Sequence, residues 1–300
     1  MKRTLPQWSL PAFFVALAAS SVVFGGAGRQ GPEFKIHAVA GSVSYIEGAG
    51  GNIGVSAGED GLLVVDDQLA NAEAEVVRAI ASLSDQPVRY LLNTHWHGDH
   101  VGNNAAVAQG APIIAHANVR RRMAGDPGIE GKKDEGTPRA ALPSITFDDG
   151  LTLHVNGEEV VVLHFAKAHT DGDSVVLFTG SNVLHMGDLF FSGRFPYIDL
   201  DSGGTVQGYI DAQAAIMESL PDDVKIIPGH GPLSTLEDLQ RTHAMIVDCA
   251  DLVRTALAAG KTAEDMKGEG LLGAYGDSWS WSFIDADSFI DTLARSLGGD

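Results

Sequence analysis

Cysteine is almost missing from this chain of 300 residues. Cys249 stands alone, so no internal disulfide can form. It falls in a helical pattern from Leu236 to Ala259 and reads as a packing residue rather than a reactive thiol. Positive charge is also scarce, with 20 Lys and Arg against 39 Asp and Glu and a formal net charge of −19. So acidic a chain repels a phosphate backbone, whose binding depends on neutralisation by Lys and Arg, and nucleic acid is excluded as a partner. The single basic run, Arg120-Arg121-Arg122, reads as a solvated helix end. Long apolar runs are lacking too: Pro11 to Phe24 spans 14 residues, short of the roughly 20 that a membrane-spanning helix needs.

What the N-terminus does hold is the layout of a secretory signal. Lys2 and Arg3 precede the apolar run, and Gly25-Gly26-Ala27 supplies small residues at the cleavage distance. Residues 1–27 are expected to be removed, leaving a mature domain from residue 28 to 300 with a charge of −21, located in the periplasm or secreted, with no membrane attachment after cleavage.

Hydrophobic residues make up 44% of the chain, enough for a full-sized core. Phe34 to Asp66 reads as short strands broken by glycine turns, and Ala70 to Leu83 has helical periodicity. Val88 to Leu92 is a short strand, Val101 to Gln109 the start of a helix, and Pro112 to Ala115 another strand. Asp126 to Pro143 reads as an exposed connection. A second series opens with strands at 151–155, 160–165, 174–178 and 183–185. It continues with a helix over 206–219, a strand over 224–227, a long helix over 234–259 and an amphipathic helix over 282–297. Strands followed by strand–helix alternation, twice over, predict an α/β protein of two sheets covered outside by helices, in one domain.

The densest chemistry lies between the strand at 88–92 and the helix that follows it. His95-Trp96-His97-Gly98-Asp99-His100 packs three imidazoles and a carboxylate into six positions, on a loop held at both ends. Neutral imidazole and carboxylate are the usual ligands of zinc. Three strand ends in the second half carry one candidate each: His169 after 160–165, Asp188 after 183–185 and His230 after 224–227. Glycines beside each let the chain turn sharply toward a metal. Seven ligands exceed what one four-coordinate zinc uses and suit two metals. The remaining histidines, His37, His116, His154, His164, His185 and His243, are expected to be structural or on the surface. His185 is three residues from Asp188 and within reach of it, and His116 ends a strand beside the first loop. Arg194, Tyr197 and Asp199 lie in a loop, 190–204, read either as a cleft wall or as plain surface.

In order and spacing these motifs resemble the metallo-β-lactamase superfamily of binuclear zinc hydrolases, over roughly Ser42 to Pro232. The resemblance implies a four-layer αβ/βα sandwich with the metals at one edge. It implies that His95, His97 and His169 hold one zinc, that Asp99, His100 and His230 hold the other, and that Asp188 bridges them. Asp66 would accept a hydrogen bond that orients a ligand histidine, a role that Asp67 could share. Two zincs about 3.5–4 Å apart share a water whose pKa falls to about 7, giving a hydroxide for attack on a carbonyl. Asp99 would hold that hydroxide and pass its proton to the leaving group.

The expected function is therefore an exported metal-dependent hydrolase using two Zn2+ per chain to cleave an ester, thioester, lactone or amide of a small molecule. The alternatives are a true β-lactamase and, outside catalysis, a zinc-binding scaffold or sensor without turnover. Asp188 matches the hydroxyacylglutathione hydrolases and lactonases of the family rather than the lactamases with Cys at that position.

Overall fold

Alternation of apolar residues along the strands builds two sheets, each with one face turned to the other. The computed structural model describes residues 34–134 and 136–298; the expected signal segment, 1–27, lies outside them. The first sheet starts as an antiparallel meander of β1 (Lys35–Ala40), β2 (Val43–Glu47), β3 (Ile53–Gly58) and β4 (Gly61–Val65). After helix α1 (Glu73–Ala81) the sheet turns parallel. β5 (Val88–Leu92) lies beside β4, and after the short helices α2 (Gly98–Val101) and α3 (Asn104–Ala108) comes β6 (Ile113–His116). Helix α4 (Ala117–Met123) and β7 (Ile145–Phe147) complete this half, with seven strands in sequential order.

The second sheet repeats the plan with five strands. β8 (Gly150–Val155), β9 (Glu158–Phe165), β10 (Asp173–Phe178) and β11 (Val183–His185) pair antiparallel, and β12 (Lys225–Ile227) joins β11 in parallel after helix α5 (Val206–Ser219). Helices α6 (Leu236–Ala258), α7 (Ala263–Gly268), α8 (Gly273–Trp279) and α9 (Ala286–Leu297) follow. Among the described residues no helix is long and apolar enough to cross a membrane.

Strand periodicity sorts the side chains into layers. Leu63, Val65, Leu92 and Ile114 of the first sheet face Val160, Val162, Val176, Phe178, Val183 and Ile227 of the second in one central core. The alternate residues Leu62, Val64, Leu91 and Ile113 pack outward on Val76 and Ile80 of α1 and Val107 and Ala108 of α3. Val175, Leu184 and Ile226 pack outward on α5, α6 and α9. The layers run helix, sheet, sheet, helix, as expected. Each fully buried Val, Leu or Ile contributes roughly 1.5–3 kcal/mol to the folded state.

The fold departs from the sequence reading at several points. The segment after the His-rich loop is two short helices with a break at Gly102, where a Cβ would lie 2.5 Å from the Gln68 carbonyl oxygen. Arg122 is buried rather than solvated: its guanidinium donates to both oxygens of Asp171, at 2.7 Å each, and to the Glu130 and Lys132 carbonyls. Cys249 is buried in α6 as expected, and burial pushes its thiol up to about 12.

His116 stacks face to face on His164, ring centroids 3.6 Å apart at 8°. Burial, reinforced by His164, lowers His116 to about 4, and burial also lowers His164. An unfolded histidine takes up its proton near 6.5. The unfolded chain thus binds more protons between about 6.5 and 4, and stability is lost as pH falls through that window. His116→Asn keeps an acceptor for the Asn118 N–H at the start of α4 while removing the titration. The drop in Tm between pH 7 and pH 4.5, measured by calorimetry on chelator-treated protein, is expected to be smaller in this variant. An unchanged drop would count against the pair.

Candidate metal centre

Parallel strands place their carboxyl ends together, and here both sheets do so at the same edge. Asp66 follows β4, the His95–His100 loop follows β5, Asp188 follows β11 and His230 follows β12. His169 comes from the turn between β9 and β10. Backbone bonds stitch the two halves at this edge: Ser174 N donates to the Thr94 carbonyl at 2.8 Å, and Asn52 N to the Gly229 carbonyl at 2.8 Å. Glycine is required at two points of closest approach. A Cβ on Gly229 would lie 2.0 Å from Asp188 Oδ1, and one on Gly51 would lie 2.2 Å from the His100 ring.

All seven histidine and aspartate side chains singled out in the sequence meet here, in two groups. His95, His97, His169 and Asp188 form one, and Asp99, His100 and His230 the other, with the polar atoms of each group within 4.8 Å of one another. The hydrogens of the imidazoles are assigned by what lies on their outer sides. His169 Nδ1 donates to the Tyr197 carbonyl at 2.7 Å, and His97 Nε2 donates to Asp199 Oδ2 at 3.0 Å. The Thr94 hydroxyl gives its one hydrogen to Asp66 Oδ2 at 2.7 Å and so accepts from His95 Nδ1 at 3.0 Å. Three lone pairs are left facing inward, with His97 Nδ1 3.1 Å from His95 Nε2 and 2.9 Å from His169 Nε2.

Asp188 divides its two oxygens between the groups. Oδ2 lies 3.4 Å from His169 Nε2 and 3.7 Å from His95 Nε2, whereas Oδ1 lies 3.1 Å from His100 Nε2 and 3.4 Å from His230 Nε2. His100 donates through Nδ1 to Asp66 Oδ2 at 2.7 Å, which turns its Nε2 inward. His100 Nε2 and Asp188 Oδ1 are both buried without a hydrogen-bond partner of proper geometry.

Charge favours a cation throughout. Burial alone would raise Asp188, but the imidazoles of His100 and His230 hold it well below the carboxylate range. Burial lowers His100 and His230, yet Asp188 and Asp99 outweigh it, drawing His100 well up and His230 to about 9. A field that pulls protons onto those rings also pulls a divalent ion. In the first group, burial holds His95 well below its usual value and His169 at about 4. Converging lone pairs, a divided carboxylate and orphaned buried atoms fit a pair of divalent metal ions.

The two aspartates that the sequence leaves equivalent are separated here. Asp66, in a left-handed backbone conformation at φ 63°, accepts from Thr94 N, Thr94 Oγ1 and His100 Nδ1. Asp67 instead accepts from Asn103 N at 2.7 Å, and burial raises it well above the carboxylate range. His185 sits beside the centre as a support, accepting from Gly187 N and donating to the Asn52 carbonyl. His116 does not join the site.

A cleft of about 560 Å3 opens over His97, Asp99 and His230, lined also by Trp96, Lys132, Phe191, Tyr197, Asp199, Trp281 and Phe283. A groove of about 580 Å3 between α1 and α3, lined by Val77, Ile80 and Val107, holds no comparable cluster of ligands. Tyr197 and Asp199 thus settle the 190–204 loop as a cleft wall. Lys132, from the segment read as an exposed connection, reaches Asp199 Oδ1 at 3.2 Å. Its carbonyl is held by buried Arg122, a tie between distant residues that no local pattern announces.

A two-sheet sandwich with His/Asp clusters able to hold metal at the strand ends is the architecture of a metallohydrolase-type fold. The family model of the metallo-beta-lactamase superfamily matches residues 47–230, and the chain belongs to that superfamily. It is 29% identical over 160 residues to a hydroxyacylglutathione hydrolase of Polaromonas sp., covering 52% of this chain and 53% of that one. The chain thus spans about half the length of such curated relatives. It is 26% identical over 255 residues to an atrochrysone carboxyl ACP thioesterase of Claviceps purpurea, covering 79% of this chain and 71% of that one. Among solved structures, a metallo-beta-lactamase from Pontibacter korlensis superimposes with a TM-score of 0.60 at 19% identity, over 71% of this chain and 99% of that one.

Proposed function

We propose that the protein is an exported metal-dependent hydrolase that cleaves an acyl bond of a small molecule, with two zinc ions per chain. The observation that carries this reading is the convergence of inward lone pairs on both sides of Asp188. His95, His97 and His169 would hold one ion, Asp99, His100 and His230 the other, and Asp188 both. When bound, such a pair supplies a nucleophile at neutral pH and polarises the acyl oxygen. Export rests on the Lys2-Arg3 and apolar layout of the N-terminus, and places the enzyme in the periplasm or outside the cell.

The chain's own residues supply the rest. Asp199, Thr94 and the Tyr197 carbonyl fix three imidazoles through their outer nitrogens, and Asp66 fixes His100. Asp99 is the carboxylate most open to the cleft, and its Oδ2 lies 3.3 Å from His230 Nε2. Burial would raise it, but His100 and His230 hold it down to about 2, which keeps it a carboxylate; in the proposed reaction it would take up a proton and return it to the leaving group.

The test is metal content together with a rate panel of carboxylic esters, thioesters, homoserine lactones, nitrocefin and phosphodiesters. Two zincs per chain and chelator-sensitive turnover of an ester, thioester or lactone are expected. A preference for nitrocefin would make the protein a β-lactamase. One tightly held metal with no turnover anywhere in the panel would leave a scaffold or sensor and sink the hydrolase reading.

A further inference from the structure

The family match ends at residue 230, but the cleft does not. Its outer wall comes from the turn between α8 and α9, which brings Trp281 and Phe283 over the metal centre. Phe191 stacks on His230 with centroids 5.0 Å apart at 13°, and Trp281 lies 5.9 Å from His230. Phe283 lies 5.6 Å from Trp281 and 5.5 Å from Tyr197, which in turn lies 5.8 Å from His97. The rings form a continuous arc from one ligand group to the other.

This wall is preformed. Trp281 Nε1 donates to the Phe195 carbonyl at 3.0 Å, Trp281 N donates to the Ile284 carbonyl at 3.0 Å, and the Arg194 guanidinium covers the indole at 5.0 Å. Beyond it, Ile284, Phe289, Ile290 and Leu293 are buried in the core shared with α6. A ligand meeting rings already held in place loses little further entropy. Phe283, by contrast, is 61% exposed, the most open large apolar side chain among those described. A large apolar side chain left open at the mouth of a cleft, continuous with buried rings, marks a surface that something apolar covers.

Charge narrows the ligand further. Among the described residues Lys132 is the only lysine or arginine lining the cleft, and its ammonium already faces Asp199 at 3.2 Å and Asp201 at 3.6 Å. A substrate carrying several carboxylates finds in the cleft one lysine that is already paired, whereas an uncharged apolar group finds a wall of rings.

We propose that the cleft selects an uncharged acyl compound whose aromatic or bulky apolar group lies on Trp281 and Phe283. This rests on the hydrolase reading and names the substrate class for it. The test uses the zinc-loaded full chain with N-acetylcysteamine thioesters of acetate and of 4-phenylbutyrate, and the glutathione thioester of 4-phenylbutyrate. The uncharged 4-phenylbutyryl thioester is expected to exceed both others in kcat/KM by about tenfold. Phe283→Ala and Trp281→Ala are expected to collapse the phenylbutyryl-to-acetyl ratio by about tenfold, mainly through KM. Ile36→Ala, which trims an exposed apolar side chain on β1, should leave the ratio as it is.

Turnover without preference, or a ratio indifferent to Phe283 and Trp281, overturns the proposal and leaves the hydrolase reading standing. A second arm needs no turnover: calorimetric titration with 4-phenylbutyrate amide. If no thioester is cleaved, the wall is judged on this arm alone, and the hydrolase reading is judged on its own panel of esters, lactones and nitrocefin. Binding weakened about tenfold by Phe283→Ala supports the wall; no binding, or binding unaffected by the substitution, overturns it.

Discussion

Asp188→Ala is expected to lower turnover by about three orders of magnitude, equivalent to about 4 kcal/mol in the barrier, while the protein stays folded. The size follows from position. Each oxygen of Asp188 faces a different pair of imidazoles, so one substitution removes a ligand from both groups. The fold should survive because Asp188 belongs to none of the hydrophobic clusters and a methyl group fits where a carboxylate was. Bound metal should fall from two ions to one or fewer by mass spectrometry, with the near-ultraviolet circular dichroism unchanged. Retention of both ions and of full rate would refute the bridging role.

Asp66→Ala is expected to act differently, through stability as well as metal. It leaves three buried donors, Thr94 N, Thr94 Oγ1 and His100 Nδ1, without their acceptor. Each orphaned group costs about 1–3 kcal/mol, and removing one partner of a buried charged pair costs about 3–5 kcal/mol in all. For a domain of this size that is a Tm loss of roughly 10 °C. With His100 no longer oriented, affinity for the second metal should fall by about 10–100-fold. Asp67→Ala is the control next door. Its carboxyl meets only the Asn103 backbone, so calorimetry should show lost stability while metal affinity holds. Equal loss of metal in both variants would remove the distinction between the two aspartates.

That distinction shows where sequence reading runs out. Neighbouring identical side chains cannot be told apart until the backbone, left-handed at Asp66, aims one at His100 and the other at Asn103. The seven candidate ligands were legible because their chemistry is dense and each stands at the end of a recognisable apolar strand. The two-sheet plan was legible because the strand-then-helix series recurs. Helices α4, α7 and α8 were not, since all have seven residues or fewer and offer little periodicity. Lys132 and Trp281 lay in stretches without pattern, and Phe283 lay inside the helix expected over 282–297, which begins only at Ala286; tertiary contacts carry them to the cleft, buried Arg122 for Lys132 and the Phe195 carbonyl for Trp281. Spacing reports what a chain does locally and says little about loops that arrive from far away.

Four of the seven candidate ligands lie between β5 and the end of α2, and the other three come from the strand ends of the second sheet. Metal held by both sets would act as a cross-link, closing the long stretch of chain between His95 and His230. Closing a loop of about 100 residues restricts the unfolded ensemble by about 4–5 kcal/mol on the chain-entropy account of disulfides. In a protein with one buried thiol, the metal centre would thus be the staple as well as the reagent. Demetallation would loosen the seam between the sheets before either sheet itself comes apart.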